Sequence, residues 1–182
     1  MYIDEVTIDQ PIGNLYRKNH VLILVKNNHG KYILGQKKNF YADGISRMLG
    51  GGLNDGEDPQ TAAQREIEEE LKLKLNRDNF FPLGQIITKA NTAIGVMYMK
   101  VYLFGLILKE DVDIVANDDI SGISAYSEKD LELMISKMFK LTGEFRNDNF
   151  YFLHNDWGRI YGFIHELALK NFKKNEIISK DR

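Results

Sequence analysis

Four glutamates stand close together in the chain: Glu57, then Glu66, Glu69 and Glu70. On a helix, at 100° per residue, the last three fall within an arc of about 100°. Ala63, Ile67 and Leu71 occupy the adjacent arc and are expected to bury. The carboxylates are therefore expected at the border between core and solvent, where a metal can be held and still be reached by a substrate. Glu57 can join them from the loop before the helix. Like charges at i, i+3 and i, i+4 repel by a few tenths of a kcal/mol per pair. A hard divalent cation offsets that repulsion. Magnesium takes carboxylate oxygens, keeps several waters and completes its shell with substrate phosphates. Such a site can polarise a phosphoryl oxygen and activate a water. Arg65 is spaced to pair with Glu69 at i+4. The plain alternative is a solvated face, because Glu68 with Lys72 and Glu70 with Lys74 have the spacing of surface ion pairs. The helix alone favours that alternative.

The helix needs elements to hold it. Asp58 is a cap and Pro59 a first helical residue, which predicts a helix from about 59 to 72. Upstream, the apolar run Val21 to Val25, the turn-forming Asn27-Asn28-His29-Gly30 and Tyr32 to Gly35 read as a hairpin. Ile45 to Leu49 reads as a short strand entering Gly50-Gly51-Gly52. Further strands are expected near 82–88, 94–108 and 120–126. Ser127 caps a second helix with Leu131, Met134, Ile135 and Met138 inward. Asp156 starts a last helix with Ile160, Phe163, Ile164, Leu167 and Phe172 inward, and the charged tail from Lys173 is expected to fray. No repeat or Pro/Ser-rich linker divides the 182 residues, so 1–182 reads as one domain with helices packed on both sides of a sheet.

The spacing upstream of the helix decides between the two readings. Gly51, five residues, Glu57, seven residues, then Arg65-Glu66-Ile67-x-Glu69-Glu70 resembles the Nudix box, and the apolar Leu73 closes it. Lys72 stands where the motif has a glycine that helps turn the chain at the helix end. The resemblance implies an α/β fold, an α/β/α sandwich with a mixed β-sheet. It also implies hydrolysis of a nucleoside diphosphate derivative with magnesium (Mg2+) or manganese (Mn2+).

By the same resemblance, Glu66, Glu69 and Glu70 are the metal-binding carboxylates, Glu57 an auxiliary ligand, and the Gly51 carbonyl a further one. Arg65 orients the glutamates. The general base varies in the family; a box glutamate is the simplest choice, with Asp118 or Asp119 as loop alternatives. Lys37, Lys38 and Arg47 flank the box and can meet phosphates. Phe40 and Tyr41 can stack on a base. Arg146, Phe150, Tyr151 and Trp157 can close over a ligand, although packing explains the aromatics equally well. A weaker likeness, in Ile3-Asp4-Glu5, Ile12-Gly13, Arg17 and His20, is to the isopentenyl diphosphate isomerase branch. That chemistry uses a cysteine, and this chain has none.

Composition narrows the partners. A formal net charge of −2 gives no electrostatic footprint for a long nucleic acid or an anionic membrane. The absence of cysteine excludes disulfides and thiolate sites, and fits a reducing cytoplasm. The acidic start Met1 to Glu5 is unlike a signal peptide, and the apolar stretch 93–108, broken by Lys100, is too short for a membrane span. The expected partner is a small nucleotide-like diphosphate: a nucleotide sugar, a dinucleotide or a modified nucleoside triphosphate. Many proteins of this kind form homodimers, and no stretch here identifies an interface. Two rival functions are a catalytically silent nucleotide-binding regulator and removal of diphosphate from RNA 5′ ends. The full glutamate set argues against the first, and the charge offers the second no support.

Overall fold

Val21 to Val25 is apolar at every position, which suits a strand covered on both faces. The computed structural model, which describes residues 2–7, 19–37, 42–92, 95–118, 120–146 and 151–180, places it so. Strands β1 (Tyr2–Thr7), β2 (Asn19–Lys26) and β3 (Tyr32–Gln36) precede helix α1 (Pro59–Leu71). Then come β4 (Phe80–Thr92), β5 (Gly95–Ile107), β6 (Gly122–Tyr126), α2 (Glu128–Met138), the short strands β7 (Glu144–Arg146) and β8 (Tyr151–Leu153), and α3 (His154–Lys180). Six strands form one sheet in the order β1-β4-β5-β2-β3-β6. β1–β4 and β2–β5 are parallel, and the other neighbours are antiparallel. Val21, Ile23 and Val25 point to the α1 side, with Ala62, Ala63, Ile67 and Leu71. Leu22 and Leu24 point to the other side, where α2 and α3 pack. The architecture is the expected α/β/α sandwich on a mixed sheet.

The hairpin is less regular than the sequence suggests. β2 and β3 pair only at Val25↔Ile33 and Lys26↔Tyr32, next to the turn. Beyond those pairs they splay, and the segment expected as a strand at Ile45–Leu49 enters the gap. Arg47 exchanges both backbone hydrogen bonds with Gly35 at 2.9 Å. Ile23 N–H then donates to Leu49 O (2.8 Å) and Val21 N–H to Gly51 O (2.9 Å). The segment makes isolated bridges to two different strands instead of a ladder with one.

In α2, Ser127 caps as expected and Leu131, Met134, Ile135 and Met138 are all buried. Helix α3 starts two residues before Asp156, and Phe163, expected inward, is half-buried. α3 continues past Lys173 to Lys180. The reason is tertiary. Lys173 pairs with Glu128 on α2, with Glu132 3.9 Å away, and Glu176 takes Lys26 of β2 at 2.7 Å. Between them, Phe172 packs its ring against Tyr32 (5.6 Å) and Phe81 (5.3 Å). Among the described residues, no helix is long and apolar enough to cross a membrane.

Phe172 is fully buried, so Phe172→Ala is expected to cost about 3–5 kcal/mol of unfolding free energy in a urea titration. A loss below about 1 kcal/mol would mean that this end of α3 does not dock as described.

Candidate active site

Local chemistry fixes the start of α1. The Asp58 side chain accepts from the backbone N–H of Gln60 (3.0 Å) and Thr61 (3.1 Å), and Pro59 takes the first turn. From there the helix buries Ala62, Ala63, Ile67 and Leu71 and turns its glutamates toward the glycine loop. Glu66 and Glu70 are 7% and 2% exposed, and Glu69 is half-exposed.

Arg65 gathers these carboxylates. Its Nε donates to Glu57 Oε1 (2.8 Å), and its Nη1 to Glu66 Oε1 (2.8 Å) and Glu69 Oε2 (2.9 Å). Its Nη2 donates to Glu57 Oε2 (3.0 Å) and Gly52 O (2.9 Å). Glu57 has both oxygens engaged, since Oε2 also accepts from Asn54 N–H at 2.9 Å. Glu66 Oε2, Glu69 Oε1 and Glu70 Oε1 remain outside these bonds.

The glycine loop is shaped to the glutamates. A Cβ at Gly51 would stand 2.7 Å from both Glu66 oxygens. Gly50, at φ +123°, has no room either, because its Cβ would meet Val21 O at 2.3 Å. Gly50 N–H donates to Glu70 Oε2 at 2.8 Å, and Arg47 Nη2 to Gly50 O at 2.8 Å. The loop after β5 closes the other end. Asn117 donates its side chain to Glu69 O (2.8 Å) and its N–H to Glu70 O (2.9 Å), satisfying two carbonyls of the last helical turn. Asp118, in the left-handed region at φ +57°, follows beside Glu70.

These surroundings split the carboxyls electrostatically. The hydrogen bonds from Arg65 hold Glu57 below the usual carboxylate range. Burial pushes Glu66 up, with Arg65 opposing. Burial pushes Glu70 up to about 7, further than Arg47 and the Gly50 N–H pull it down.

An all-oxygen donor set of carboxylates and a loop carbonyl has the chemistry a magnesium or manganese ion requires. The three unengaged glutamate oxygens lie in that set, and the buried Glu66 and Glu70 are carboxyls whose charge needs a cation nearby. Among the described residues, no three acidic or histidine side chains converge into a ligand cluster. The Arg65 guanidinium stands among Glu57, Glu66 and Glu69 instead.

Of the other residues singled out in the sequence, Arg47 is brought to the loop, with its guanidinium 5.5 Å from the Tyr161 ring centre. Lys37 lies one residue past β3, and Arg146 ends β7. Tyr151 opens β8, and Trp157 is buried against Tyr161 (4.8 Å), so it packs in the core. Lys38, Phe40, Tyr41, Asp119 and Phe150 lie outside the described residues. Glu70 forms no surface pair with Lys74, because it is buried; Lys74 lies 3.8 Å from Glu68 instead. Sequence reasoning missed Asn117, whose type and position carry no signal until the loop folds back on α1.

Comparison with known families now bears on this geometry. The NUDIX domain model matches residues 16–148, most of the chain. The chain therefore belongs to the Nudix family, and its fold is that of a Nudix-type hydrolase. Comparison with the sequences of curated proteins gives no match. Similar solved structures include the Escherichia coli dihydroneopterin triphosphate pyrophosphohydrolase. It is 16% identical with a TM-score of 0.52, over 66% of this chain and 86% of that one. A bifunctional NMN adenylyltransferase/ADP ribose pyrophosphatase of Francisella tularensis, complexed with AMP and a manganese ion, is 16% identical with a TM-score of 0.51. That match covers 87% of this chain, which spans 42% of the Francisella protein. An Ap4A hydrolase of Caenorhabditis elegans is 14% identical with a TM-score of 0.51, over 88% and 98% of the two chains.

Lys72 supplies the helix end in place of the motif's glycine. It adopts φ 58°, and its N–H donates to Glu68 O at 3.1 Å. A non-glycine residue there is strained, so Lys72→Gly is expected to raise unfolding free energy by about 1 kcal/mol in denaturant titration. An unchanged or lowered value would count against that strain.

Glu70 gives a pH dependence. Its folded pKa lies above its unfolded value, so the folded state keeps a proton that the unfolded chain releases. Its contribution to stability is complete below the unfolded pKa and is lost as pH rises from about 4.5 toward 7. In metal-free protein, Glu70→Gln should flatten that part of the stability profile, measured by urea unfolding at steps across the window. Superimposable slopes for the two proteins would refute the assignment.

Proposed function

We propose that this chain is a divalent-metal-dependent hydrolase that cleaves a diphosphate linkage in a nucleoside diphosphate derivative. The observation that carries the reading is the Arg65-centred set of Glu57, Glu66 and Glu69 beside the buried Glu70, facing a loop whose glycine cannot carry a side chain. Two similar structures bear the names of an ADP ribose pyrophosphatase and an Ap4A hydrolase, which supports nucleotide diphosphates as the substrate class; a third, a dihydroneopterin triphosphate pyrophosphohydrolase, supports phosphoanhydride cleavage. The cysteine-free composition supports a cytoplasmic setting.

In this reading Glu66, Glu69 and Glu70, with Glu57 and the Gly51 carbonyl as auxiliaries, hold magnesium or manganese. Such an ion, when bound, would supply positive charge for a phosphoryl oxygen and lower the pKa of a water. Arg65 fixes the spacing of the glutamates. Glu69, more exposed than Glu57 or Glu66 and with an unengaged oxygen, accepts the water's proton in this reading. Asp118, beside Glu70, is the second choice for that role. Water adds across the P–O–P bridge, giving a nucleoside monophosphate and a phosphorylated remainder, or pyrophosphate from a nucleoside triphosphate. Arg47 and Lys37 are the substrate-side cations.

The test is a product assay with magnesium over nucleotide sugars, dinucleotides, coenzymes and oxidised nucleoside triphosphates, wild type beside Glu69→Gln. Turnover of one compound, reduced in the variant by roughly a hundredfold or more, is expected. Binding of a nucleotide without turnover of any compound would replace the hydrolase by a regulator.

A further inference from the structure

The segment that brings Gly50 and Gly51 to the glutamates is also held from the far side of the sheet. Met48 sits where this segment leaves β3 for β2: Arg47 bridges to Gly35, and Leu49 to Ile23. At that crossing the Met48 N–H donates to no strand. It donates to His165 Nε2 on α3, at 2.9 Å. His165 is 1% exposed, and its Nδ1 lies 2.6 Å from Tyr161 O. With Nε2 accepting, Nδ1 carries the proton and donates to the Tyr161 carbonyl, so a single neutral tautomer satisfies both contacts. Burial pushes its pKa down to about 4, which keeps that tautomer at neutral pH.

The neighbouring turn of α3 reaches the same segment. Tyr161 lies under the Arg47 guanidinium, and Arg47 donates to Gly50 O. Gly50 N–H donates in turn to Glu70. An unbroken chain of contacts therefore runs from the α3 side of the sheet to a box carboxylate on the α1 side.

We propose that His165 is a positioning residue for the carboxylate site: by accepting the Met48 N–H it fixes the path of 47–51, and with it the placement of the Gly51 carbonyl and of Glu70. It touches no substrate. A histidine suits the task because its acceptor is anchored at the opposite ring nitrogen. An apolar side chain of the same shape leaves the buried Met48 N–H without a partner. The kinetic part of the inference rests on the proposed hydrolase activity, and the structural part does not.

Three variants test it. His165→Phe keeps the ring shape and removes the acceptor. His165→Gln can accept from Met48 and donate to Tyr161. Tyr161→Leu removes the ring under Arg47 but keeps the carbonyl that His165 uses. Backbone amide exchange is followed at 47–51, with 131–138 of α2 as the internal control. In His165→Phe, exchange at 47–51 is expected to rise by roughly tenfold or more while α2 stays unchanged. The kcat with magnesium on the substrate from the panel should fall by roughly tenfold or more with KM within about threefold, because misplacement costs turnover more than binding. His165→Gln should recover most of both. Unchanged exchange at 47–51 in His165→Phe, or equal losses in the Phe and Gln variants, would overturn the proposal. If His165→Phe does not fold, Tyr161→Leu decides: loosening confined to 47–51 supports the coupling of α3 to the loop, and no loosening rejects it. If no compound in the panel is turned over, the proposed function fails, and amide exchange still settles the positioning role.

Discussion

Three of the four glutamates in the carboxylate site hang on one guanidinium. Glutamates crowded on one helical turn repel, and burial adds a desolvation cost to each charge. Arg65 relieves both by using five donors at once: two bonds to Glu57, one each to Glu66 and Glu69, and one to the Gly52 carbonyl. A lysine at this place has three donors from a single nitrogen and cannot span that set. Because the last of those bonds goes to the backbone before Glu57, the same group that spaces the carboxylates also ties the glycine loop to the helix. Glu57 meets Arg65 with both oxygens, so it also clasps the guanidinium in place.

The arrangement leaves the glutamates unequal. Glu69 keeps solvent access and an unengaged oxygen, while Glu70 is buried against the Gly50 N–H, where burial raises its pKa to about 7 in the metal-free protein. Such a split is what a site needs if one carboxylate is to handle protons and its neighbours are to stay fixed. The loop glycines serve the buried pair: a side chain at Gly51 would collide with Glu66, and one at Gly50, whose N–H bonds Glu70, would collide with Val21 O.

What could be read from the chain and what could not divides along sequence distance. The Asp58–Pro59 start, the buried stripe of α1, the Ser127 cap and the α2 core are set by neighbours within a few residues, and they appear where the pattern places them. The box spacing is equally local, so the family was legible from it. The burial of Glu70 was not, because it depends on Asn117 and Asp118 folding back over the helix end. Arg47 was legible as a cation flanking the box; its place over Tyr161 was not, because that contact is with α3. The ion pairs made by the end of α3 were not legible for the same reason, since their partners lie on α2 and β2. A lone histidine on an apolar helix face announces nothing by itself. Strand β1, with Asp4 and Glu5 in its middle and β4 on one side only, has no apolar periodicity to betray it.

The contact between Met48 and His165 closes a loop of 117 residues. On the ribosome the chain emerges from its N-terminus, so every residue of the box is synthesised well before the helix that holds Met48 in place. Loop closure of that length is deferred until the non-local partner exists, whatever the local helix has already achieved. A nascent or truncated chain ending before α3 would contain the whole Arg65 network in sequence and lack the acceptor for one buried N–H. The site is thus completed only once α3 exists, and a fragment cut anywhere before His165 is a Nudix box without its far anchor.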